Sequence, residues 1–172
     1  MKELKFSDAG MKKFEWLLTR YPQKQAVLLP ALRIAEEEFG ELGLPEMKYV
    51  AALLGISPAR VFGVVTFYTH FRRAGTGCHH LQVCSTLSCA LRGAQELVDH
   101  LEEKLGIECG ETTEDGLFSL SKVECLGSCD TAPMLQMNDD YHENLTLAEV
   151  DKIIERCRAE ARSAAGKAGT RR

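Results

Sequence analysis

The sequence predicts an α+β chain: a helical bundle over residues 1–75, then a small sheet with helices packed on it over 76–160. Three observations carry this. Apolar residues recur at helical spacing in four segments before Phe71, each bracketed by capping or breaking residues. After "RRAGTG" the period changes, and short β-like runs alternate with helical ones. Six of the seven cysteines lie between Cys78 and Cys129 and the first 77 residues hold none, so the halves differ in chemistry as well as in period.

The first helix is capped by Ser7, carries Met11, Phe14, Leu17, Leu18 and Tyr21 at helical spacing, and is ended by Pro22. "AVLLPALRIAEEEFG" is a second, with Pro30 near its start and Gly40 past its end. "LPEMKYVAALLG" is a third: Pro45 sits in the first turn, Met47, Val50, Ala51 and Leu54 make a buried face, and Gly55 stops it. "SPARVFGVVTFY" is a fourth, with Ser57 as cap and Pro58 at the first helical position. Short connections between four helices suit a small bundle. In the second half, "HHLQVC" reads as a strand ending at Cys84. "CALRGAQELVDHLEEKLG" reads as one amphipathic helix with Leu91, Ala94, Leu97, Val98, Leu101 and Leu105 on its buried face. "IECGETTEDGLFSLSKVEC" reads as strand, turn and strand, with Asp115-Gly116 in the turn, and "MLQMN" as another short strand. Thr146 and Glu149 form a capping box that opens the last helix. Residues 161–172 are predicted to be a basic, disordered tail, because Arg158–Arg172 carries five Lys/Arg and one Glu among Ala, Gly and Ser.

Composition narrows the function classes. With 27% charged residues and a net charge of −4, nothing in the overall balance points to nucleic acid. "MKELKFSDAG" has no apolar core of the secretory kind, and no run approaches the length of a membrane helix. The expected location is the cytosol or an equivalent reducing compartment, without membrane insertion. There an odd count of seven cysteines favours a metal or redox site plus leftover thiols over a disulfide framework.

Within "VECLGSCDTAP", Cys125 and Cys129 sit on a Gly-containing loop; Cys84 and Cys89 form a second pair at the end of the predicted strand. The whole pattern is C-x4-C-x35-C-x3-C. Two loops at strand ends of one sheet can converge, so the pairs read as halves of one four-thiolate site. Four thiolates suit tetrahedral zinc or an iron–sulfur cluster. Structural zinc favours close C-x2-C pairs that grip one ion, whereas a 2Fe–2S cluster, with two irons each taking two thiolates, tolerates unequal loops. Such a cluster carries a formal charge of about −2 oxidised and about −3 reduced, and so calls for donors. Gly127 lets the loop wrap tightly, the helix beginning near Cys89 directs its first amides to the site, and Thr86 and Ser88 add hydroxyls. No Lys or Arg lies between Cys84 and Cys89 or between Cys125 and Pro133, which predicts a low reduction potential.

"LQVCSTLSCALRGA" and "VECLGSCDTAPMLQMNDDYHENLT", with "YPQKQAVLLPALRIAEEEFG" and "PARVFGVVTFYTHF" upstream, resemble the small iron–sulfur subunit of the NADH-oxidising module of respiratory complex I. The same type of subunit occurs in NAD-linked hydrogenases and formate dehydrogenases. The resemblance covers roughly residues 11–156 and implies a helical region followed by a thioredoxin-like ferredoxin domain. It implies one 2Fe–2S cluster on Cys84, Cys89, Cys125 and Cys129. It also implies a partner: the flavoprotein subunit that binds FMN and NADH, whose flavin passes electrons to the cluster. The chain departs from the family pattern in "RRAGTGCHH", which lacks a proline before the first strand and adds Cys78, and in "GELGLP", which lacks an aromatic residue after its glycine; neither change touches a ligand.

Other residues have plainer readings. Cys78 is an incidental thiol at a strand start or a fifth thiol near the site; Cys109 and Cys157 read as small core hydrophobes. His79 and His80 read as polar strand residues, with four better-placed thiols available. There is no strand–G-x-G-x-x-G–helix and no P-loop, so no NAD or FMN site or catalytic residue is evident in this chain. No C-x-x-C is present, which counts against a thiol oxidoreductase. A zinc-stabilised interaction module is the rival of a different class. "VVTFYTHF" clusters three aromatics that serve either the bundle core or a partner contact.

Overall fold

The computed structural model describes residues 4–169. The chain runs α1 (Asp8–Arg20), α2 (Leu28–Phe39), α3 (Leu44–Leu54), α4 (Pro58–Phe67), β1 (His79–Cys84), α5 (Leu87–Leu91), α6 (Ala94–Leu105), β2 (Phe118–Val123), β3 (Leu135–Met137), β4 (Asp140–His142) and α7 (Leu147–Gly169). It divides into two compact units, one ending at Ala74 and one beginning at Gly75.

The helical unit forms as its caps dictate. The Ser7 hydroxyl accepts from the Gly10 amide at 3.1 Å, and Ser57 accepts from the Arg60 amide at 3.3 Å. Tyr21, ahead of Pro22, is extended and ends α1. A single 3-10 turn, Lys24–Val27, precedes α2, which therefore starts two residues later than the apolar pattern suggested. Phe14, Leu32, Val50, Leu54, Val61 and Phe71 belong to one buried cluster. The aromatic segment splits: Phe71 is in this core, whereas Phe67 is 75% exposed and Tyr68 38%.

The second unit is a four-stranded sheet of order β2-β1-β3-β4. β1 and β2 are parallel, paired from His79↔Phe118 to Cys84↔Val123; β3 is antiparallel to β1, and β4 to β3. A parallel pair needs a crossover, supplied by α5 and α6, and α6 packs on β1 and β2 and against α7. Leu81, Leu97, Leu101, Leu120, Leu135 and Ile154 are fully buried in the core between them. The Thr146–Glu149 box is present: the Thr146 amide donates to the Glu149 carboxylate at 2.8 Å, and the Glu149 amide to the Thr146 hydroxyl at 3.3 Å.

Four local expectations change. The single helix expected over 89–106 is broken at Gly93, whose φ of 92° lies in the left-handed region, and Leu91 is consequently 78% exposed instead of buried. The turn at Asp115-Gly116 forms, but its first arm is not a strand. Residues 107–113 make an irregular edge with one isolated bridge, Thr112↔Ser119, because the chain turns at Gly110, whose φ is 100°, and the Glu111 amide donates to the Glu108 carbonyl at 3.0 Å. β4 is an added strand, turned from β3 by the pair Asn138-Asp139. α7 continues to Gly169 where a disordered tail from 161 was expected; residues 170–172 lie outside the described residues.

Two glycines test the packing. A Cβ on Gly77 would meet the Phe118 carbonyl carbon at 2.8 Å and the Ser119 nitrogen at 3.0 Å, both backbone atoms of β2. A Cβ on Gly63, inside α4, meets nothing within 4 Å. Gly77→Ala is expected to destabilise the chain by about 1–3 kcal/mol. Gly63→Ala is expected to gain about 0.5–1 kcal/mol. Denaturant unfolding followed by circular dichroism checks both signs.

Candidate metal centre

β1 passes through buried Leu81 and Val83 and ends at Cys84, in register with Val123 at the end of β2. Because the strands are parallel, both C-terminal ends leave the same edge of the sheet. The Ser85 amide and hydroxyl each donate to the Val123 carbonyl at 3.1 Å and lock the two exits together. Two thiol pairs with 35 residues between them are thereby delivered to one place.

Cys84 and Cys89 are buried, the latter on the inward side of α5; Cys125 and Cys129 are exposed. Gly127, with a φ of 82°, folds the second loop back on itself, and its amide donates to the Cys125 sulfur at 3.4 Å. The return brings the Cys125 and Cys129 sulfurs to 3.6 Å. Two thiolates on one tetrahedral metal at about 2.3 Å stand about 3.8 Å apart, so this pair fits a shared ion with little adjustment. Among the described residues, no three His, Cys, Asp or Glu side chains converge on a point where a single ion would sit. The four thiols stand as two pairs.

The four thiols and the donors around them shift one another's pKa values. Burial opposes ionisation of Cys84, but the Thr86 hydroxyl, at 3.3 Å, and the Thr86 and Leu126 amides outweigh it and lower the pKa. Burial, then the hydrogen bond to Cys84, push Cys89 up to about 11 against the pull of the Met134 amide. The Gly127 amide, the Thr86 hydroxyl and the Cys129 thiol lower Cys125. Cys129 is raised because it donates to Cys125 and feels its charge, with Ser88 pulling the other way. Thr86 thus addresses a thiol of each pair, and the Cys84 charge is felt at Cys129. The donors are hydroxyls and backbone amides, which suit an anionic group bounded by thiolates.

Thr86, Ser88 and Gly127 stand where the sequence placed them. The Leu126 and Met134 amides were not legible, since a backbone donor leaves no side-chain signature. Of the other cysteines, Cys157 is buried with its sulfur 3.8 Å from that of Met137, and Cys109 is partly buried against the core, where burial raises its thiol. Cys78 is exposed at the opposite end of β1 from Cys84, beside His79 and His80. The His80 ring is engaged with Ser121 at 2.9 Å.

The sequence profile of the thioredoxin-like 2Fe-2S ferredoxins matches residues 14–158. The chain belongs to that family. A relative from Rhizobium meliloti, named as a subunit of an NADH-quinone oxidoreductase, is 46% identical over 88% of this chain and 90% of its own length. NADH-quinone oxidoreductase subunit 2 from Thermus thermophilus is 45% identical over 90% of this chain and 87% of its own. Among solved structures, an NAD+-reducing NiFe hydrogenase superimposes with a TM-score of 0.68 at 22% identity, over 78% of this chain and 23% of the hydrogenase chain, which shows a shared fold. The family's cofactor is the 2Fe–2S cluster, and this ferredoxin has a thiol-rich edge of matching chemistry.

The pKa directions predict an order of thiol reactivity in the metal-free chain. A lowered pKa gives more thiolate at a given pH, so near pH 8 iodoacetamide modifies exposed Cys125 first among these four thiols, and buried Cys89 last. Peptide mapping after timed alkylation reads the order; raising the pH toward 11 brings Cys89 into reach.

Proposed function

We propose that this chain is the one-electron transfer subunit of the NADH-oxidising module of an NADH-quinone oxidoreductase. It holds a 2Fe–2S cluster on Cys84, Cys89, Cys125 and Cys129, beside the FMN of a flavoprotein subunit that binds NADH. The observation that carries the reading is the near end-to-end match, at 45–46% identity, to relatives named as subunits of that complex. The two thiol pairs at one sheet edge support the ligand assignment, and their hydroxyl and amide donors supply what an anionic cluster needs. Bound there, the cluster supplies a centre that accepts and releases single electrons.

The protein's own part is to hold, insulate and present. Buried Cys84 and Cys89 anchor the inner side, while exposed Cys125 and Cys129 leave the outer side open to a partner. Leu87 and Leu91, 75% and 78% exposed, flank Cys89 on α5 and form an apolar rim that association would cover. The equivalent subunit of an NAD-linked hydrogenase or formate dehydrogenase has weaker support, since the hydrogenase likeness is one of fold at 22% identity. No single helix among the described residues is long and apolar enough to cross a membrane. We place the chain in the cytoplasm, peripheral to the membrane that carries the rest of the complex.

Cysteine variants of the full chain test the assignment. Cys89→Ala and Cys125→Ala are expected to lose the visible iron–sulfur absorption and to slow re-oxidation of the partner's flavin after NADH reduction. Cys78→Ala, Cys109→Ala and Cys157→Ala are expected to keep both. Unchanged cluster content and flavin re-oxidation in Cys125→Ala would contradict the assignment.

A further inference from the structure

The Cys125–Cys129 loop is exposed at Glu124, Cys125, Gly127 and Cys129, and its Leu126 side chain packs against the core. Hydrogen bonds from the β3–β4 hairpin and the turn after it add to that anchor. The Tyr141 hydroxyl donates to the Leu126 carbonyl at 2.7 Å. The Leu126 carbonyl shares its rigid peptide plane with the Gly127 amide, which donates to the Cys125 sulfur at 3.4 Å, so fixing the carbonyl also aims that donor. The Glu143 carboxylate accepts from the Ser128 hydroxyl and, at 2.7 Å, from the Thr131 hydroxyl; these two hydroxyls lie 2.7 Å apart. The Asn144 amide closes the arrangement on the Thr131 carbonyl at 2.7 Å. Ser128 and Thr131 bracket Cys129, so Glu143 holds both shoulders of that thiol. The same two hydroxyls keep the Glu143 carboxyl below its ordinary range, so it is ionised at neutral pH.

Resting on the ligand assignment above, we propose that Tyr141 and Glu143 are positioning residues: a clamp that keeps the second thiol pair in its binding geometry. The fixed negative charge of Glu143 also holds the reduction potential of the bound cluster down. Reduction adds negative charge to the cluster, and an anion behind Ser128 and Thr131 opposes it. Neither residue ligates. The hairpin that carries them is held to β1 through β3, so the loop inherits the rigidity of the sheet.

Two measurements on the full chain test this. In the metal-free chain, amide hydrogen exchange of residues 126–131 is expected to quicken about tenfold or more in Tyr141→Phe and Glu143→Ala, with α6 unchanged. In the cluster-loaded chain, Glu143→Gln keeps an acceptor oxygen but removes the charge, so its potential is expected to rise while iron release to a chelator stays near the wild-type rate. Glu143→Ala is expected to raise the potential and speed iron release; Tyr141→Phe to speed release without raising the potential. Wild-type exchange in both Tyr141→Phe and Glu143→Ala would overturn the clamp, and a wild-type potential in Glu143→Gln would overturn the role of the charge. A wild-type chain that takes up no iron would instead count against the proposed function, and the exchange experiment would still decide the clamp.

Discussion

The structure depends on one constraint: the parallel pairing of β1 with β2 that sets Cys84 opposite Val123. Parallel strands share a C-terminal edge, and on this edge a chain can gather chemistry from loops far apart in sequence. Each feature of the site follows from that pairing. The first pair sits on β1 and the short helix beyond it, the second on the loop that leaves β2, and Ser85 ties the exits together. β3, antiparallel to β1, brings the Met134 amide to Cys89 and carries the hairpin that reaches back to the second loop.

The environment of the four thiols is polar without being cationic. Hydroxyls of Thr86 and Ser88 and amides of Thr86, Leu126, Gly127 and Met134 meet the sulfurs. Such dipoles stabilise thiolates over thiols and suit the standing charge of a bound cluster. They do less than a full positive charge would to favour an added electron, consistent with the low potential that the sequence suggests. Burial is divided as well. The inner pair is dry and the outer pair wet, so the site has a closed side toward the core and an open one toward solvent.

Much of this was legible in the sequence because it rests on local chemistry. Ser7, Ser57 and the Thr146–Glu149 box announced helix starts that the hydrogen bonds bear out, and the change of period after residue 75 announced a second kind of architecture. Spacing singled out Cys84, Cys89, Cys125 and Cys129, and the structure brings them to one edge. What the sequence hid depends on tertiary context. Apolar periodicity runs straight through Arg92-Gly93, where the backbone turns left-handed and frees Leu91. The irregular edge at residues 107–113 looks like a strand until the backbone turns at Gly110, with a φ of 100°. β4 had a signal, the Asn138-Asp139 pair between "LQM" and "DYH", but three-residue strands carry too little alternation to stand out.

The central claim is that folding assembles four thiolates around an inorganic di-iron core. Its most direct measurement is elemental: iron, acid-labile sulfide and zinc per chain in protein purified without oxygen. The account predicts about two irons and about two sulfides with negligible zinc. Zinc near one per chain, or iron without sulfide, would contradict it.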